Sequence, residues 1–210
     1  MSQIIVEIKK QRGSFVISFE FGEDIRIPIP VLREHPLKTG KEFDENEYLE
    51  ETAQTAYQKA LQKAVWLLSR RDYSEQQLRK KLVDAAYRPQ TCERVCDFLK
   101  AGHYLDDARY AENFIMRRKS KSGSRKLSMD LRYKGIENET TQTALESFSQ
   151  EEEIEAACKL AKKYLSTKAL EPQEAFRKCA AYLARRGYSW DTVKAAYRMV
   201  SDSQEDDFPL

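Results

Sequence analysis

Nine lysines and arginines stand between Arg109 and Lys134 against two acids, Glu112 and Asp130, a local net charge of +7. They are Arg109, Arg117, Arg118, Lys119, Lys121, Arg125, Lys126, Arg132 and Lys134, interrupted by Ser120, Ser122, Gly123 and Ser124. Cationic side chains beside hydroxyls, backbone amides and a helix start are the donors that phosphate oxygens take, so the block reads as a surface for an anionic partner. The competing reading is a solvated face neutralised by acids later in the chain. Glu137, Glu139, Glu146, Glu151, Glu152, Glu153 and Glu155 come with no basic residue between 135 and 155. Basic groups recur at Arg70-Arg71, Arg79-Lys80-Lys81, Arg177-Lys178 and Arg185-Arg186. The candidate contact residues are Arg117, Arg118, Lys119, Lys121, Arg125, Lys126, Arg132 and Lys134, with Arg79, Lys80, Lys81, Arg185 and Arg186. DNA phosphates and an acidic protein surface would use the same side chains. Five nearby aromatics, Tyr73, Tyr87, Tyr133, Tyr188 and Trp190, are assigned to core packing rather than base stacking because they fall mostly on apolar stripes or helix ends.

Catalytic constellations are not found. The sequence has no glycine-rich phosphate loop and no G-x-S-x-G elbow. His103 lies in a helix-end loop, Gly102-His103-Tyr104, and the adjacent acids Asp106 and Asp107 suit the start of a helix. Cys92 and Cys96 are four apart, Cys158 and Cys179 are remote, and the only histidines are His35 and His103, a poor basis for a zinc site. The four cysteines are expected as buried thiols, and no metal, cofactor or enzymatic activity is expected.

The elements that must position the basic block emerge from periodicity. Of thirteen glycines and prolines, six lie in residues 1–40. There Ile4, Val6 and Ile8 alternate with polar residues, as do Phe15, Ile17, Phe19 and Phe21 after Arg12-Gly13, and Ile25 and Ile27 after Gly22. Period-two alternation broken by glycine turns predicts an antiparallel meander of two or three strands, ended by Pro28 and Pro30 and packed on the segment C-terminal to it. From Asp44 the period turns helical. Asp44, Ser74, Asn138 and Ser189 are the expected N-caps, with Gly135 and Gly187 at helix ends.

One spacing occurs three times. Leu78-x3-Leu82-x4-Tyr87-x3-Thr91 matches Leu127-x3-Leu131-x4-Ile136-x3-Thr140 and Cys179-x3-Leu183-x4-Tyr188-x3-Thr192. Each block is followed by an apolar stripe and preceded by an amphipathic helix ending near Leu68, Ile115 or Tyr164. The fold class is therefore mainly α: three tandem three-helix repeats, stacked into an elongated curved body, after a small N-terminal antiparallel β-meander. The expected domains are 1–43 (meander and linker), 44–102, 103–149 and 150–201 (repeats one to three) and 202–210, an acidic tail. The longest apolar run is six residues, Cys179 to Ala184, too short to span a bilayer, and Met1 to Glu7 lack the pattern of a signal peptide, so a cytoplasmic chain is expected. A monomer is expected because tandem repeats already supply an internal stack.

Three stretches carry a resemblance to the RecX family of bacterial recombinase regulators. They are Tyr73-Ser74-Glu75-x2-Leu78-Arg79-x2-Leu82, Gly102-His103-Tyr104-Leu105-Asp106-Asp107-x-Arg109-Tyr110-Ala111, and Gly123-x3-Lys126-Leu127-x3-Leu131-Arg132-x-Lys134-Gly135-Ile136. The resemblance implies binding along the groove of the RecA filament on single-stranded DNA, with restraint of its recombinase and ATPase activity. It also implies a glycine where this chain has Ala86, and Asp72-Tyr73 replaces the usual arginine-threonine step. The alternative is an α-helical scaffold that binds other proteins through its charged faces without contacting DNA or recombinase.

Overall fold

The computed structural model describes residues 3–166 and 171–205, with the backbone alone at Pro172 and 202–205. Two compact units divide at Asp106/Asp107. The first contains β1 (Gln3–Gln11), β2 (Ser14–Phe19), β3 (Ile25–Pro28), α1 (Ile29–Glu34), β4 (Glu42–Phe43), α2 (Glu45–Leu68), α3 (Glu75–Val83) and α4 (Pro89–Ala101). The second contains α5 (Asp107–Arg118), α6 (Ser124–Tyr133), α7 (Asn138–Glu146), α8 (Gln150–Leu165), α9 (Pro172–Ala184) and α10 (Trp190–Glu205). Helix α10 thus runs into the stretch assigned to the acidic tail, and the rest of that tail, 206–210, lies outside the described residues.

The sheet is antiparallel, in the order β3-β2-β1-β4. Its fourth strand was not expected. Phe43 is buried, stacked on Phe19 at 5.2 Å between ring centres, and this contact draws Glu42–Phe43 onto β1. The alternation also differs from expectation. The β1–β2 register shifts between Ile5 and Glu7, so Ile5 is buried and Ile8 half-buried while Ile4 and Val6 are exposed. A bulge supplies the physical reason, since one extra residue moves the following side chains to the other face. Ile5, Ile17, Ile27 and Phe43 join Ala60, Leu78, Val95 and Leu99 in a single core, so the sheet and the first repeat are one folding body.

Repeat one is α2–α4, repeat two α5–α7 and repeat three α8–α10. At the repeated positions Leu78, Leu127 and Cys179, and again at Leu82, Leu131 and Leu183, the side chains are fully buried. The middle helices end alike. The amides of Ala86, Gly135 and Gly187 donate to the carbonyls of Val83, Arg132 and Ala184, and those of Tyr87, Ile136 and Tyr188 to Leu82, Leu131 and Leu183. This is the Schellman pattern, which requires a left-handed residue after the helix. Gly135 and Gly187 provide it at φ +83° and +84°, and Ala86 adopts it at φ +67°. Repeats two and three enclose separate apolar clusters, so each of these two closes a core of its own instead of depending on stacking for burial, whereas repeat one shares its core with the sheet.

Three of the four expected caps form. Asp44 Oδ1 accepts from the Asn46 and Glu47 amides, Ser74 makes a capping box with Gln77, and Ser189 Oγ accepts from the Thr192 amide. Asn138 does not cap, because α7 begins at Asn138 itself and Glu137 occupies the cap position without a side-chain bond. All four cysteines are buried free thiols, and burial pushes Cys92, Cys96 and Cys179 up to about 11, away from thiolate chemistry.

Candidate anionic-partner surface

Part of the basic block meets the Arg185-Arg186 pair at a close backbone contact. The turn before α6 packs on the turn between α9 and α10: the Gly123 amide donates to the Arg186 carbonyl at 2.9 Å, and the Arg125 amide to the Gly187 carbonyl at 3.2 Å. Neither glycine has room for a side chain. A Cβ on Gly123 would lie 2.6 Å from the Gly187 carbonyl oxygen, and one on Gly187 would lie 2.4 Å from Lys126 Cβ. The contact joins the Lys121–Lys126 segment of repeat two to Arg185-Arg186 of repeat three.

The acids C-terminal to the basic block reach part of it. Lys119 Nζ pairs with Glu152 at 2.7 Å and is half-buried, and Arg118 reaches Asp130 at 3.4 Å. The Lys119 ammonium holds the Glu152 carboxyl below its ordinary value. Lys126 is half-buried against Gly187, so neither Lys119 nor Lys126 is the freely exposed cation that helix periodicity alone implies. The expected phosphate-binding helix start is also occupied. Glu153 on α8 accepts from the Ser124 amide at 2.7 Å, while Ser122 and Gly123 are buried.

Lys121, Arg125 and Arg185 are exposed and make no ion pair among the described residues. Arg186 lies over the Tyr182 ring at 3.9 Å, and Arg117 is exposed at the end of α5. At the far end of α6, Arg132 is exposed and Lys134 sits over the Phe114 ring at 5.4 Å. Arg79, Lys80 and Lys81 are on α3 in the first unit, where Arg79 pairs with Glu75 at 2.7 Å and the two lysines are exposed.

Of the five aromatics assigned to packing, Tyr73, Tyr87 and Tyr188 are buried. Trp190 is half-exposed, and Tyr133 is 90% exposed. The correction at Tyr133 comes from helix geometry. It lies two residues beyond Leu131, about 200° around the axis from the buried stripe. Glu152 and Glu153 were not singled out individually, although Ser149-x2-Glu152 is a capping-box spacing that marks where α8 begins and which acids face its start. Among the described residues no helix is long and apolar enough to cross a membrane, and no three His, Cys, Asp or Glu side chains gather as a metal ion would require.

Three consecutive three-helix repeats, the middle one carrying this cationic turn, define the class of helical-repeat proteins. Family models match each repeat: the first RecX three-helix domain at residues 60–99, the second at 106–145 and the third at 151–197. The chain is 32% identical over 184 residues to the regulatory protein RecX of Bacillus licheniformis, spanning 86% of this chain and 70% of that one. It is 30% identical over 190 residues to that of Clostridium acetobutylicum, spanning 88% of each. The crystal structure of RecX from Lactobacillus salivarius superposes with a TM-score of 0.64 at 20% identity, over 70% of this chain and 98% of that one. A second crystal structure of regulatory protein RecX gives 0.62 at 23%, over 96% and 100%, and at these identities both speak for the fold alone. The chain belongs to the RecX family of regulatory proteins.

Proposed function

We propose that this chain is a non-enzymatic regulator that binds the RecA recombinase filament on single-stranded DNA and restrains its strand-exchange and ATPase activity. The observation that carries the reading is the set of unpaired cations, Lys121, Arg125 and Arg185, held together by the Gly123–Gly187 contact in a chain of this family. Three repeats, at about 44–102, 103–149 and 150–201, would present a series of surfaces to successive protomers of a periodic partner. Partial engagement then strengthens through effective concentration. The protein acts as a monomer in the cytoplasm, and contact with DNA alone is weaker than contact with the filament.

The test is DNA-dependent ATP hydrolysis and strand exchange by the cognate recombinase with purified protein added. Inhibition at substoichiometric amounts is expected. No effect at superstoichiometric amounts would remove the reading and favour a scaffold for other proteins. Light scattering after gel filtration checks the monomer, and a stable dimer at micromolar concentration would contradict it.

A further inference from the structure

The outer face of α6 carries more than charge. Leu127 and Leu131 are fully buried on its inner face, while Arg125, Met129, Arg132 and Tyr133 point to solvent, Met129 at 65% and Tyr133 at 90% exposure. Tyr133 makes no ring contact or hydrogen bond among the described residues. The repeat itself does not require a ring there. The same spacing places Asp84 at the equivalent position of repeat one and Arg185 in repeat three, and Lys80 and Ala181 opposite Met129. An aromatic side chain that the fold neither buries nor repeats, flanked by Arg132 and Lys134, is available to a partner.

We propose that Tyr133 is a stacking anchor for an unpaired nucleobase, with Met129 against the edge of the base and Arg125 and Arg132 along the phosphates. This deepens the reading of the second unit as a surface toward single-stranded DNA and rests on it. The surroundings of the ring favour a base over a protein pocket. An aromatic anchor in a protein interface works in a well-packed pocket from which surrounding contacts exclude water, whereas Tyr133 is 90% exposed and its neighbours along the chain are cations. A base offers a π-face to the ring and a phosphate to the cations within one nucleotide, and such stacking tolerates any sequence.

The experiment compares binding of the full chain to a fluorescein-labelled oligothymidylate and to an abasic phosphodiester strand of equal length, in parallel with the ATPase assay. Tyr133→Ala should weaken oligothymidylate binding roughly fivefold to hundredfold and leave abasic-strand binding and the melting temperature unchanged. Tyr133→Phe and Tyr133→Trp should bind like the parent. Equal loss on both strands, or no loss on oligothymidylate, overturns the assignment. Wild-type protein that binds neither strand at low salt also overturns it, while leaving restraint of the recombinase to be judged by ATP hydrolysis. Loss of restraint by Tyr133→Ala with both strands bound normally would place the ring in a protein contact and overturn it too.

Discussion

The Glu153 carboxylate closes the amino end of α6 by accepting from the Ser124 amide at 2.7 Å, 29 residues away in sequence. Gly123 has no side chain to serve as the cap, and the approach of Gly187 forbids one, so α8 supplies the acceptor. Glu153→Ala should cost about 0.5–2 kcal/mol, the range for a lost cap, and lower the melting temperature of the second unit. It should also tighten oligothymidylate binding, because an acid leaves a cationic surface. An unchanged melt together with unchanged affinity would show that the carboxylate neither caps the helix nor screens its neighbours. The adjacent Lys119–Glu152 pair adds a pH dependence of known sign. Since the folded carboxyl lies below its ordinary value of 4.5, the pair stabilises above that pH and is lost as pH falls through the lower folded value.

Gly187→Ala should be more damaging than Gly123→Ala. Both would force a Cβ into backbone, but Gly187 also holds φ +84°, which an L-residue adopts only with strain. About 1–3 kcal/mol for overpacking plus roughly 1–2 for the backbone gives ~2–5 kcal/mol at Gly187. Chemical unfolding measures it. Equal midpoints for the two variants would refute the backbone contribution.

Ala86 is the converse case. It stands at φ +67° where the other two repeats use glycine with the same pair of hydrogen bonds. Ala86→Gly relieves roughly 1–2 kcal/mol of strain and gives back about 0.4–1 kcal/mol through a more flexible unfolded chain. A net stabilisation of about 0.5–1 kcal/mol is expected in the first unit, read as a higher melting temperature. A lower one would show that the alanine methyl group contributes packing that outweighs its strain.

Local features were legible in the sequence and non-local ones were not. The leucine and tyrosine spacing located α3, α6 and α9 because a buried stripe depends only on helix period, and Asp44 and Ser74 announce their caps within three residues. The β1 bulge is different. Ile4, Val6 and Ile8 form a valid alternation, and only pairing with β2 puts Ile5 inside. Likewise nothing near Ser124 points to Glu153, and Glu42–Phe43 becomes a strand only through β1 and the Phe19 ring. At the candidate surface, charge density was legible. Which cations remain unpaired was not, because that depends on the distance from α5 to α8 rather than on composition.

The shared core of the sheet and repeat one predicts that the helices of the first unit depend on the strands. Ile17 is fully buried in the cluster that includes Leu78, Leu82 and Val95. Ile17→Ala should cost about 2–5 kcal/mol, the usual range for such a truncation, and lower the temperature at which helical circular dichroism is lost. A chain starting at Asp44 should lose the helical signal of repeat one altogether. If that truncated chain melted as cooperatively as the whole, the sheet would be an appended module.

The cations of the second unit divide into two groups with different expected behaviour. Lys121, Arg125 and Arg185 are exposed and carry no ion pair among the described residues, so alanine at all three should change stability by no more than about half a kcal/mol each. Arg118 pairs with Asp130 inside repeat two and Lys119 with Glu152 across to repeat three, so alanine at both loosens α5 on α6 and the junction of repeats two and three while removing charge already partly neutralised. If phosphates are the partner, each lost contact lowers the dependence of log affinity on log salt by roughly 0.7–0.9, about 2–3 for the triple variant. The paired variant should melt earlier and alter the slope less. A triple variant with unchanged affinity and slope for oligothymidylate, but reduced affinity for the recombinase filament, would assign these charges to an acidic protein surface. Unchanged binding to both ligands would leave them as solvated groups.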